Sequence, residues 1–181
     1  MARNIEIKAR ITSVAVLTAH AAALADSGPT EILQDDTFFN CPSGRLKLRV
    51  FTNNTGELIF YRRSNEQGPK QSFYVRTPTT DPDSLRETLS LAYGVVGRVR
   101  KHRTLYMAGR TRIHLDVVES LGDFLELEVV LRDDESLDSG VREAEHLMRR
   151  LGVEPSRLID CAYVDLLAQG VTQIGDTGTP A

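Results

Sequence analysis

The chain has 181 residues, 41% hydrophobic and 26% charged, enough for one domain with a sizeable core. Lys and Arg number 22 against 25 Asp and Glu, a formal net charge of -3. That balance offers no general attraction for a long polyanion and excludes a broad nucleic-acid binder. The most apolar run, 14–25, is interrupted by Thr18 and His20 and is too short to span a bilayer. The N-terminus MARNIEIKARI lacks the apolar core of a secretion signal, and Cys41 and Cys161 fit no metal or redox spacing. The expectation is a cytoplasmic protein with reduced thiols and no membrane partner.

In chain order, residues 5–11 alternate strictly and predict a strand. Ser13 then caps an Ala-rich helix, stopped by the breaker Asp26-Ser27-Gly28-Pro29. Strands are expected at 35–39, 45–51, 57–63 and 71–76, the second and third separated by the turn Asn53-Asn54-Thr55-Gly56. Asp81-Pro82 opens a helix that ends at Gly94. Strands follow at 99–107, 110–118 and 124–131, then two helices at 139–151 and 155–168. The domain is expected to cover 1–168, and 169–181, small and polar, reads as a disordered tail. About eight strands with local joints predict an α+β domain built on an antiparallel, closed or nearly closed β-barrel.

Reading every second residue of a strand reads one face. Ile5, Ile7 and Ala9 oppose Asn4, Glu6, Lys8 and Arg10; Leu46, Leu48 and Val50 oppose Arg45, Lys47 and Arg49. Phe73 and Val75 oppose Lys70, Ser72, Tyr74 and Arg76. Ile113, Leu115 and Val117 oppose Arg112, His114 and Asp116; Leu125, Leu127 and Val129 oppose Glu126 and Glu128. A solvated face mixes signs and small polar residues, whereas these faces are segregated by sign, with three cations in a row on one strand. Turned inward, they would form cationic walls and a carboxylate cluster, which suits a polyphosphate together with a hard divalent cation. Three carboxylates so close would raise at least one pKa in the absence of metal.

These residues resemble a known family. Asn-Ile-Glu-Ile-Lys at 4–8 is similar to the ExExK signature of the CYTH superfamily, the triphosphate tunnel metalloenzymes. Gly44-Arg-Leu-Lys-Leu-Arg49, Tyr61-Arg-Arg63, Gly68-Pro-Lys70-Gln-Ser72 and Lys101-His-Arg103 continue the resemblance. Arg112-Ile-His-Leu-Asp116, Gly122-Asp-Phe-Leu-Glu126-Leu-Glu128 and Ala162-Tyr-Val-Asp165-Leu-Leu complete it. The order of the series makes it specific, and its nearest branch is the class IV adenylyl cyclase-like proteins. The resemblance implies an eight-stranded tunnel with helices outside, a triphosphate substrate such as ATP, and Mg²⁺ or Mn²⁺ as cofactor. It implies metal ligation by Glu6, Asp116, Glu126 and Glu128, and a catalytic group of Glu6, Lys8, Lys101 and Arg103. Substrate binding would fall to Lys8, Arg45, Lys47, Arg49, Arg63, Lys70, Lys101, Arg103 and Arg112, joined by His114. His114 fits either phosphate binding or a structural hydrogen bond. Tyr163 and Asp165 read as packing or capping residues of the last helix.

One departure stands out: the first Glu of the signature is Asn4, whose oxygen can ligate a hard cation but carries no charge and takes no proton. The implied activity is that of an adenylyl cyclase converting ATP to cyclic AMP and pyrophosphate. The alternatives are a triphosphatase acting on inorganic, thiamine or nucleoside triphosphate, and a non-catalytic triphosphate-binding module. Cyclases of this class also imply a homodimer.

Overall fold

In this computed structural model, residues 3–63 and 68–174 are described, apart from the side chains of Arg63, Lys70 and 171–174. Among them, eight strands and four α-helices follow one another. They are β1 (Arg3–Arg10), α1 (Val14–Leu24), β2 (Ser27–Phe39), β3 (Arg45–Val50), β4 (Gly56–Arg63) and β5 (Lys70–Thr79). Then come α2 (Pro82–Tyr93), β6 (Val95–Ala108), β7 (Thr111–Val118), β8 (Gly122–Val130), α3 (Leu137–Arg150) and α4 (Tyr163–Ile174). All strand pairs are antiparallel, in the order β1-β5-β4-β3-β2-β6-β7-β8, and β8 returns to β1 to close the barrel.

Closure removes the free sheet edges, and the period-2 alternation then gives each strand an inner and an outer face. The outer apolar residues are covered by helices. Ile5, Ile7, Leu125 and Leu127 pack with Ala144, Leu147 and Met148 of α3 and with Ala21 of α1. Leu48, flanked by Leu46 and Leu58, packs against Leu85 and Leu89 of α2. The helices start where their sequences cap them. Ser13 Oγ accepts from Ala15 N at 3.2 Å, and Asp81 Oδ1 accepts from Ser84 N at 3.2 Å, with Pro82 in the first turn. Gly94 ends α2 at φ +75°, a left-handed conformation that glycine adopts without strain.

Two expectations are corrected. The helix stops just before Asp26-Ser27-Gly28-Pro29, at Leu24, but the strand expected at 35–39 already begins at Ser27, and a register shift between Ser27 and Thr30 accommodates the proline's missing N–H. The helix expected at 155–168 is split. Pro155–Arg157 forms a single 3₁₀ turn, and α4 begins only at Tyr163. The cause lies in β1, whose pairing with β5 stops at Glu6↔Lys70. Beyond it the next segment fills the gap, Ile159 N donating to Lys8 O at 2.9 Å and Leu158 bridging to Ala9. The backbone at 158–159 therefore serves the sheet rather than a helix. α4 also runs past 168 to Ile174, into the expected tail; 175–181 lie outside the described residues.

Candidate functional site

The inward faces surround one cavity of about 280 Å³. Asn4, Glu6 and Lys8 of β1 meet Glu126 and Glu128 of β8, and Arg112 and His114 of β7. Lys101 and Arg103 of β6, Gln34 and Asp36 of β2, and Lys47 and Arg49 of β3 complete the charged wall. Tyr61, Tyr74 and Arg76 belong to it as well, and Ala162 and Tyr163 at the start of α4 also line it. No helix among the described residues is long and apolar enough to cross a membrane.

Register explains the carboxylate side. Glu6 stands directly across from Glu128, Lys8 across from Glu126, Arg112 across from Glu128, and His114 across from Glu126. Lys8 Nζ lies 3.9 Å from both Glu6 and Glu126, and Arg112 reaches Glu128 at 3.2 Å. Burial would raise the Glu126 carboxyl, but Lys8 and Arg103 hold it well below the usual carboxylate range. Glu128 is likewise lowered against burial, by His114 when that ring is protonated in acid, and by Arg103 and Arg112. The expected raised carboxylate is therefore not found, because each acid is surrounded by cations. His114 is pushed down to about 4 by burial and by Arg103 and so stays neutral; its Nδ1 has no hydrogen-bond partner among the described residues.

Asp116 is placed differently from the expectation of a metal ligand beside Glu126. It is fully buried and outside the cavity lining. Its Oδ1 accepts from Arg103 Nε at 2.7 Å, and its Oδ2 from Lys101 Nζ at 2.9 Å, Arg103 Nη2 at 2.7 Å and Tyr163 Oη at 3.0 Å. With both oxygens taken, Asp116 acts as a buried counter-ion. Arg45 also departs from the phosphate wall: it makes a bidentate pair with Asp165 at 3.0 and 2.6 Å and ties β3 to α4. The side chains of Arg63 and Lys70 lie outside the described residues.

Two contributors carry more than the sequence reading assigned. Asp36, 2% exposed, binds Lys47 and Arg49, and reading the inner face of 32–38 as Ile-Gln-Asp-Phe would have exposed it. Tyr163 lies under Lys8 and Lys101, with 4.2 and 5.1 Å between ammonium and ring centroid. Its position follows from docking of α4, which no local sequence signal specifies. Asp165 adds a cap there, accepting from Ala162 N at 3.0 Å.

The oxygen donors suit a hard divalent cation. Glu6, Glu126 and Glu128 share one wall with Asn4, whose buried Oδ1 has no hydrogen-bond partner among the described residues, which fits an oxygen donor for a hard cation. They are arrayed rather than converged: among the described residues no three carboxylate or imidazole groups form a ready cation cage, and Glu6 and Glu126 lean on Lys8. The expected four-carboxylate cluster thus reduces to three glutamates and an amide.

Comparison with known proteins agrees with this arrangement. Adenylate cyclase CyaB of Aeromonas hydrophila is 28% identical over 183 residues, covering 93% of this chain and 91% of that protein. The PH1012 protein of Pyrococcus horikoshii superposes with a TM-score of 0.80 at 24% identity, over 90% of this chain and 98% of that one. HpAC1 from Hippeastrum, described as having a dominant triphosphatase activity, superposes at 0.67 with 15% identity, over 94% and 96%. The CYTH domain matches residues 2–163. A closed eight-stranded barrel with its charged faces turned inward, matched over nearly its whole length, makes this chain a member of the CYTH domain family.

Proposed function

We propose that the chain is a divalent-metal-dependent enzyme of triphosphates, and specifically an adenylyl cyclase of class IV type. One observation carries the reading: two inward Lys-x-Arg pairs, Lys47/Arg49 and Lys101/Arg103, share a single cavity with Glu6, Glu126 and Glu128. Cations on one side and hard oxygen donors on the other match the two needs of a metal–triphosphate. The Aeromonas relative named as a cyclase supports the finer assignment.

Glu6, Glu126 and Glu128, with Asn4, would hold Mg²⁺ or Mn²⁺, which when bound polarises phosphate oxygens. The chain's own residues do the rest. Lys47, Arg49, Lys101 and Arg103 neutralise the polyphosphate and orient it, and Lys8 and Arg112 bracket the carboxylate end. In the cyclase reaction the ribose 3′-oxygen bonds to the α-phosphorus and gives its proton to water, while the bond to the β-phosphate oxygen breaks. Charge then accumulates on the departing pyrophosphate, which the guanidiniums of Arg49 and Arg103 would neutralise.

The second reading is a triphosphatase. It is supported by the structural neighbour HpAC1, described as having a dominant triphosphatase activity. The cavity of about 280 Å³, near the low end of the roughly 300–1,000 Å³ of ligand sites, does not separate ATP from a bare polyphosphate. The deciding experiment incubates the purified protein with ATP, inorganic triphosphate and thiamine triphosphate under Mg²⁺ and Mn²⁺, and identifies every product. Cyclic AMP with pyrophosphate supports the cyclase, and orthophosphate alone supports the triphosphatase. Tight binding without product would leave a binding module. A homodimer in the cytoplasm is part of the same proposal, checked by light scattering and by fractionation.

A further inference from the structure

The two inward Lys-x-Arg pairs are built alike. On β3, Lys47 Nζ and Arg49 Nη2 donate to Asp36 Oδ2 at 2.7 and 2.8 Å, and Arg49 Nε donates to Oδ1 at 2.8 Å. On β6, Lys101 Nζ and Arg103 Nη2 donate to Asp116 Oδ2 at 2.9 and 2.7 Å, and Arg103 Nε donates to Oδ1 at 2.7 Å. Each aspartate comes from a neighbouring strand and stands directly across from its arginine, Asp36 from Arg49 and Asp116 from Arg103. Both are buried, at 2% and 0% exposure, so these charge-assisted bonds are shielded from water.

A wall meant only to attract anions would omit Asp36, since a carboxylate there repels a polyphosphate. Each clamp instead engages Nε and Nη2 of the guanidinium with its aspartate, and Arg103 Nη2 also reaches Glu126 at 2.6 Å. We propose that Asp36 is a positioning residue: it fixes the Arg49 fork in one orientation and holds the Lys47 side chain beside it for triphosphate binding. This rests on the triphosphate reading above.

The surroundings of Lys47 show why a carboxylate is needed. Burial, Arg49 on its own strand and Lys101 of β6 all press its pKa down, to about 7, and Asp36 of β2 opposes them. The ammonium also faces the rings of Phe38 on β2 and Tyr61 on β4, at 5.5 and 5.7 Å. Without Asp36, Lys47 would lose its proton at lower pH, and the Arg49 fork would lose its partner. Removal of a negative charge would then weaken anion binding, the opposite of what net charge alone dictates.

The test is calorimetric titration of the full chain with inorganic triphosphate, from about pH 6 to about pH 9, for wild type and Asp36→Asn. The expected result is affinity lower by roughly tenfold toward the acid end, where wild-type Lys47 still carries its proton, with a smaller loss at the alkaline end, where the amine is neutral in both proteins. Because Asp36→Asn removes the carboxylate between two buried cations and puts folding at risk, Lys47→Arg is the second variant. It keeps the charge and cannot deprotonate, so its affinity should change less with pH than that of wild type. Folded Asp36→Asn that binds as tightly as wild type, or tighter, overturns the inference while the triphosphate reading stands. Lys47→Arg with an unchanged pH profile also overturns it. A wild type that binds no triphosphate overturns both.

Discussion

Glu6 on β1 and Glu128 on β8 are direct cross-strand partners on the inner face of the barrel. Like charges in directly opposed positions are unfavourable unless a cation stands between them. In the ligand-free barrel Lys8 and Arg112 supply that cation, at 3.9 Å from Glu6 and 3.2 Å from Glu128.

Glu128→Gln keeps the shape, removes one ligand charge and leaves a poorer ligand for a hard cation. Metal-dependent turnover should fall by about tenfold or more, and half-activation should need higher Mg²⁺ and Mn²⁺. The fold, followed by circular dichroism, should remain. Turnover at an unchanged metal dependence would remove Glu128 from the metal site.

Asn4→Glu acts in the other direction. Asn4 Oδ1, without a partner among the described residues, lies two residues before Glu6 on the same face, so a carboxylate there adds a charged donor. Half-activation by Mn²⁺ should shift to roughly tenfold lower concentration. No shift would place the metal away from Asn4.

Arg103→Ala should cost both binding and stability. Arg103 binds Asp116 through two nitrogens and Glu126 at 2.6 Å, all buried. Its removal leaves two buried carboxylates under-compensated, at about 3–5 kcal/mol of stability. Triphosphate affinity should fall about tenfold. Thermal melting with and without triphosphate reads both effects, and unchanged melting would contradict the buried network.

pH should move stability and affinity in opposite directions. Lys47 is lowered from 10.5 to about 7, so between these values the unfolded chain binds the extra proton. From this group, ligand-free stability rises with pH from about 7 to about 10.5. Triphosphate affinity should fall over the same window as the ammonium is lost. At the acid side, burial works against the Asp36 carboxyl, but Arg49 and Lys47 hold it far below its usual range. Its contribution to stability is thus present above the ordinary carboxylate range and is lost only as pH falls toward its depressed value. Melting curves across pH, paired with titrations, check both arms.

Much of this molecule was legible in the chain itself. A strand must send successive side chains to opposite faces, so Glu6 and Lys8 were bound to share a side against Ile5 and Ile7 before any fold was known. The caps at Ser13 and Asp81 are equally local. What alternation cannot say is which side is inside, and that depends on β8 meeting β1, a contact about 120 residues apart in the chain. Nor can it say which acids answer which cations. Asp116 and Glu128 look alike on their strands, yet Asp116 is consumed by Lys101, Arg103 and Tyr163, while Glu128 lines the cavity. The break before Tyr163 is of the same kind, since the backbone at 158–159 leaves the helix to serve a gap in β1. Local periodicity decided the faces of this protein, and long-range pairing and charge compensation decided what those faces enclose.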